Sequence, residues 1–247
     1  MVPELLSLQR PQSAPAAHDE LLFIVIHQVY ELWFKELLFE LESIRELVFS
    51  GDVQRAVHFL GRVHTIENVL IEQIPVLESM SPLDFLEFRM HLAPASGFQS
   101  VQFREIEFIS GLVDERYLRR LTPTDEQMAN LRRRRDEPTL WDAFCDLLER
   151  RGLEMPDDDE AARRRSLVTM ATDRDRYPDE FLLAEALLTH DELFSLWRVR
   201  HVLMVERQIG SKTGTGGSTG ASYLRSTLDK RFYPELWALR SYLSDSR

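Results

Sequence analysis

W-R-V-R-H-V-L-M-V-E-R-Q-I-G-S-K-T-G-T-G-G-S-T-G-A-S-Y, from Trp197 to Tyr223, sets a histidine on a long helical pattern that runs straight into a glycine loop. Five of the chain's ten glycines fall between Gly210 and Gly220. Glycine is costly to order and useful where backbone must turn sharply or approach a ligand closely, so the concentration marks a site. Taken alone, His201 also reads as an ordinary core histidine and the loop as a surface linker. A tether, however, has no need of Lys212, Thr213 and Thr215 among its glycines, nor of the apolar helical run Tyr223 to Leu228 beyond them. A phosphate-binding loop would follow a strand and place its lysine after the glycines. Here Lys212 precedes the cluster and the segment before it reads as helix, which excludes nucleotide binding of that kind.

Helical periodicity extends outward over most of the chain, with alternating strand patterns nearly absent. After the proline-rich lead Pro11 to Pro15, Asp19 and Glu20 open a helix that runs to about Phe49, with Leu22, Ile26, Val29, Trp33 and Leu37 as its apolar stripe and Gly51-Asp52 as its stop. A second helix starts near Val53 with Ala56, Val57, Leu60 and Val63 on one face, and Pro75 is expected to end or kink it. Ser81-Pro82-Leu83-Asp84 is a helix opening, and the helix it starts is expected to end before Pro94. Ala95-Ser96-Gly97 is a turn, and an amphipathic pattern resumes from Phe98 to Ile109. From about 110 to 178 the signal weakens into short pieces such as Trp141 to Arg150, read as a small helical insertion lying over the main bundle. Strong helix returns from Glu180 to Ile209. The expectation is an all-α helical bundle, one domain over 1–247.

Composition narrows the function classes. With 247 residues, 44% apolar and 29% charged, the chain is long enough for a substantial core and has an ordinary soluble balance. A net charge of −11 argues against a nucleic-acid partner. Arg132 to Arg135 and Arg163 to Arg165 run against that balance, but acids flank each run, and both read as solvated faces. One cysteine, Cys145, excludes an intramolecular disulfide. Leu21 to Ile26 is far too short to span a membrane, and the lead lacks the apolar centre of a signal peptide, so no membrane association and a cytoplasmic location are expected.

Three segments place unusual polar residues on apolar helices. Phe23 and His27 stand four apart and share a face; a buried histidine satisfied by a backbone carbonyl would look the same. Phe85 and Arg89 repeat the spacing beside the Ser96-Gly97 turn, and the arginine fork suits a carboxylate, although a surface arginine fits the pattern too. His201 with Thr215 is the third. His18, His58, His64, His91 and His190 show no metal-ligand spacing, and no G-x-S-x-G element is present. A metal held here must be content with one histidine, a condition that haem iron meets because the porphyrin supplies the other four nitrogens.

Together H-D-E-L-L-F-I-V-I-H-Q-V-Y-E-L-W-F-K (His18 to Lys35), F-R-M-H-L-A-P-A-S-G-F-Q-S-V-Q-F-R (Phe88 to Arg104) and R-H-V-L-M-V-E-R-Q-I-G-S-K-T-G-T-G-G-S-T-G (Arg200 to Gly220) resemble the tryptophan 2,3-dioxygenase family, in order along nearly the whole chain. The resemblance implies an all-helical enzyme with one haem b per subunit, ferrous when active. It implies a homotetramer built as a dimer of dimers, which uses dioxygen to open the indole ring of L-tryptophan to N-formylkynurenine, the first step of the kynurenine pathway. On that resemblance His201 is the proximal iron ligand. His27 accepts a hydrogen bond from the indole nitrogen and orients the ring without being an obligatory base, and Phe23 packs on the ring. Arg89 pairs with the substrate carboxylate, Thr215 binds the ammonium and carboxylate end, and Phe85 and Leu92 line the pocket. Ser96 and Gly97 lie near the haem edge. Family members usually carry a longer lead with tyrosines that reach into a neighbouring subunit's pocket, whereas the first tyrosine here is Tyr30: either the start site is misplaced or the pocket closes differently.

Two other readings share part of this pattern. One keeps fold and haem but acts on a modified tryptophan or another aromatic amino acid in biosynthesis. The other is a haem sensor without turnover, which would have no use for Arg89.

Overall fold

A computed structural model describes residues 1–92, 99–114, 123–214 and 220–243 of the chain. Eleven α-helices occupy the described residues, and no strand is found among them. They are α1 (Val2–Leu5), α2 (Glu20–Ser50), α3 (Val53–Glu78), α4 (Pro82–Phe88), α5 (Val101–Ile109), α6 (Asp125–Asp136), α7 (Leu140–Arg150), α8 (Glu160–Thr172), α9 (Pro178–Ile209), α10 (Ala221–Arg225) and α11 (Pro234–Leu239). The all-α expectation holds.

Three long helices make the frame: α3 packs along both α2 and α9, while α5 and α7 lean on α2. The α2–α3 corner is built by Gly51 in the left-handed region (φ 85°), with Asp52 donating its N–H to the Leu47 carbonyl at 2.9 Å and accepting from Arg55 N to cap α3. Glycine at that position relieves the Cβ clash any other residue would suffer. At the other end of α2, Asp19 makes no side-chain cap. Glu20 instead is buried and turns back to accept from the Gln12 N–H at 2.6 Å and from Ser13, tying down the lead before the helix.

The buried face of α2 is rotated from the expected stripe. Tyr30, Phe34, Leu37, Leu41 and Ile44 are buried, whereas Leu22, Val29 and Trp33 are only partly covered, because α3 and α5 approach from the Tyr30–Phe34 side. Pro75 does not end α3, which continues to Glu78. Proline forfeits one backbone bond, but Ile74 and Leu77 on either side are buried in the core and hold the turn in place. The helix opened by Ser81, whose hydroxyl accepts from Asp84 N at 3.1 Å, ends at Phe88, before Pro94 as expected.

The stretch between 123 and 178 adds α6, α7 and α8. Phe144, Leu148 and Met170 from it are fully buried in the same core as Leu41, Leu60 and Leu187. The arginine runs are not simple solvated faces. Arg134 is buried and paired with Glu42, with Glu137 at 3.1 Å and with Glu105 at 3.8 Å, and Arg163 meets Glu235 at 2.9 Å. Apart from Glu137, their partners come from distant parts of the chain, which is why the local sequence makes them look exposed. No helix among the described residues is long and apolar enough to cross a membrane.

Candidate active site

A deep cavity opens between α2, α4, α5, α9 and α10, with about 1530 Å³ free of protein atoms counted out to its mouth. Phe23, His27, Phe85, Arg89 and His201 all face it. Residues from three separated segments therefore meet in one place, as the motifs required.

The α2 wall is set by helix register. Phe23 and His27, one turn apart, have ring centroids 4.1 Å apart with planes tilted by 36°. His27 Nδ1 lies 2.8 Å from the Phe23 carbonyl. A carbonyl only accepts, so Nδ1 carries the proton and Nε2 is left as an acceptor. Burial pushes the His27 pKa down, against the smaller upward pull of that carbonyl and of Glu31, so the ring is neutral at pH 7. The carbonyl-satisfied histidine and the cavity histidine are thus one and the same.

The α9 wall carries His201, with Trp197 one turn before it and Met204 and Gln208 one and two turns after. The indole and imidazole stack with centroids 4.9 Å apart and planes 14° apart. Burial, then repulsion from His27 across the cavity, lowers the His201 pKa to about 4. A neutral imidazole keeps its lone pair for a metal.

At the mouth, α4 brings Phe85 within 5.4 Å of Phe23 and ends at Arg89. Arg89 is buried, and it donates from one terminal nitrogen to the Thr213 carbonyl at 2.6 Å, fastening the start of the glycine loop. Its Nε is buried with no hydrogen-bond partner. A guanidinium in that condition is expensive unless an anion completes it. The loop is pinched behind that contact: Gly220 has φ +64° and sits so close to Lys212 that a Cβ would lie 2.4 Å from the Lys212 carbonyl oxygen. Only glycine fits there.

Leu92 is not on the wall. α4 ends at Phe88, so the helical register that would have put Leu92 on the face of Arg89 is lost, and its side chain packs against the core. Thr215, Ser96 and Gly97 lie outside the described residues.

Several wall residues escaped the sequence reading. Glu107, almost fully buried, accepts from Arg104 at 2.6 Å and from Arg198 at 2.9 Å. Arg198 also lies over the Phe194 ring at 4.9 Å. Trp197, Met204 and Gln208 were legible as one face of α9 through their spacing around His201; Glu107 was not, because its partner Arg198 is remote in sequence.

A planar, largely apolar prosthetic group fits this wall better than a bare ion. No cluster of three or more metal-ligating side chains exists among the described residues, whereas one neutral histidine set in an aromatic and aliphatic wall is the donor set that haem needs. Fold and cavity therefore define an all-helical protein whose aromatic cavity presents neutral histidines and a buried arginine. Comparison with known proteins narrows the class. The sequence model described as tryptophan 2,3-dioxygenase matches residues 1–160 and 158–243. A tryptophan 2,3-dioxygenase of Nocardioides sp. is 55% identical over 98% of this chain and 92% of its own length. Those of Herpetosiphon aurantiacus and Caulobacter vibrioides are 46% and 42% identical, over 98% and 97% of this chain and 95% of each relative. The chain belongs to the tryptophan 2,3-dioxygenase family.

Proposed function

We infer that this protein is a haem-dependent dioxygenase that cleaves the indole ring of L-tryptophan to N-formylkynurenine, opening the kynurenine route of tryptophan catabolism. The observation that carries the site reading is the convergence of His27, Arg89 and His201 on one aromatic cavity. Bound haem, of the b type, supplies a ferrous iron that activates dioxygen. His201 offers that iron a neutral nitrogen. His27 Nε2 accepts the indole N–H, which its bond to the Phe23 carbonyl leaves it free to do. Phe23 and Phe85 hold the ring and exclude water. The guanidinium of Arg89 pairs with the substrate carboxylate, which satisfies the buried Nε, and Thr215 takes the ammonium and carboxylate end. Ser96 and Gly97 lie at the haem edge. Most of this work is positioning, which can account for a large part of a rate enhancement when reacting atoms are held within a few ångströms.

A homotetramer acting in the cytoplasm is part of the same reading. It is supported by Val25, Leu32 and Phe39, exposed at seven-residue spacing along α2, and by Leu196 and Leu203 likewise on α9. Apolar residues repeated every seven positions on a helix suit a helix–helix seam. Light scattering on haem-loaded protein checks the subunit number.

The deciding experiment is incubation of reduced, haem-loaded protein with L-tryptophan under isotopically labelled dioxygen. The expected product is N-formylkynurenine with both labelled atoms retained. A product carrying a single labelled atom, or no turnover of tryptophan beside turnover of a substituted one, would overturn the assignment.

A further inference from the structure

Trp197 precedes His201 by one helical turn and lies almost parallel to it, with planes 14° apart. Neighbours from other helices hold the indole. Phe103 of α5 has its centroid 5.3 Å away, Tyr30 of α2 stands edge-on at 6.2 Å, and Phe194 is at 6.1 Å. Tyr30 is itself fixed, because its hydroxyl donates to the Leu70 carbonyl of α3 at 2.6 Å. Nε1 of Trp197 is buried, and the indole interacts with the Tyr30 hydroxyl. His201, for its part, takes no hydrogen bond among the described residues.

A histidine that ligates a metal is ordinarily steered by its second ring nitrogen, which donates to a carboxylate or carbonyl; that bond fixes the ring plane and raises the ligand's basicity. Without it the ring torsion is broad, since a terminal sp³–sp² bond has shallow wells. A flat aromatic face removes that freedom, because only one ring plane lies in contact over its whole area. Taking His201 as the iron ligand, as the proposed function does, we propose that Trp197 is a positioning residue whose stacked indole fixes the plane of the imidazole presented to the haem. One property follows: the imidazole has a single orientation.

The test uses ferrous, haem-loaded protein without substrate, read by resonance Raman at the iron–histidine stretching band, with haem loss to excess apomyoglobin in parallel. Trp197→Leu is expected to broaden or split the band and to speed haem loss by about tenfold. Trp197→Phe, which keeps a flat face, retains a single band with haem loss between the two. A Trp197→Leu protein with the wild-type band and wild-type haem loss overturns the proposal. If that variant lacks the wild-type helical circular dichroism, Trp197→Met replaces it; if neither folds, a Trp197→Phe protein indistinguishable from wild type in both readouts overturns it. His201→Ala tests the ligand separately. Loss of the band and its return with added imidazole uphold the ligand, whereas a band that survives His201→Ala removes the ligand and with it the role of Trp197.

Discussion

Phe23–His27 on α2 and Trp197–His201 on α9 are both aromatic–histidine pairs four residues apart on a long helix, and both face one cavity. Their tethers differ. On α2 the imidazole donates to the carbonyl of its own aromatic neighbour and the two rings are tilted. On α9 the rings are stacked flat and, among the described residues, the imidazole has no hydrogen bond. A hydrogen bond through Nδ1 dictates which nitrogen is exposed and in which protonation state, which suits a residue that must accept a substrate N–H. Stacking dictates the plane and leaves the nitrogen chemistry to whatever binds, which suits a metal ligand. One spacing in the sequence thus yields two tethers, and with them the two roles proposed above.

Substitution at the two histidines should separate these walls most sharply. His201→Ala is expected to abolish stoichiometric haem binding, seen as loss of Soret absorbance in reconstituted protein, and turnover with it. Haem retained at wild-type occupancy would break the comparison at its root. Arg89→Ala removes a buried charge of the cavity, the one proposed to pair with the substrate carboxylate. It should lower kcat/KM for L-tryptophan by on the order of 10²–10³-fold while leaving the Soret band in place. Unchanged kcat/KM would return Arg89 to a purely loop-fastening role through Thr213.

A smaller effect is expected on the α2 wall. His27→Ala should keep haem and lose about 10–100-fold in kcat, because orientation is lost and no obligatory base is removed. No measurable turnover with tryptophan and oxygen still binding would make His27 indispensable instead. The pH profile sharpens this. His27 is a neutral acceptor because burial holds its pKa below the ordinary 6.5, so wild-type kcat/KM should be level above that pH and decline only in more acidic solution, as protonation turns the acceptor into a donor. In His27→Ala that decline should vanish.

The smallest effect serves as a control outside the cavity. Burial, then the nearby His190, lowers the His64 pKa to about 4, and its Nε2 donates to the Ala186 carbonyl at 2.9 Å. The unfolded chain therefore takes up this proton first. Stability should fall as pH drops from about 6.5 to about 4, by on the order of 2 kcal/mol from this group, and level off below. Urea unfolding of His64→Gln across that range should show a shallower loss, with haem spectra unaltered.

Much of this was legible because it is local. Gly51 stops α2 and Ser81 caps α4, and the spacing of Phe23 with His27 and of Phe85 with Arg89 predicts shared faces that converge on the cavity. What failed to show was nonlocal. The stripe of α2 is shifted toward Tyr30 and Phe34 by helices that pack later in the chain, and Pro75 is tolerated because its neighbours are buried. Leu92 left the wall once α4 ended early. Glu107 looked like any helical acid until Arg198 arrived from α9.

Arg134 was misread for the same reason, and its position has a mechanical consequence. Helix α6 buries Leu131 and Arg134, and among the described residues Leu131 joins Val101 and Phe108 in a small apolar group apart from the main core. Ionic clasps to Glu42, Glu105 and Glu137 therefore do for this helix what grease does for its neighbours. A shingle nailed by charge should exchange its amide hydrogens long before the roof beneath it moves.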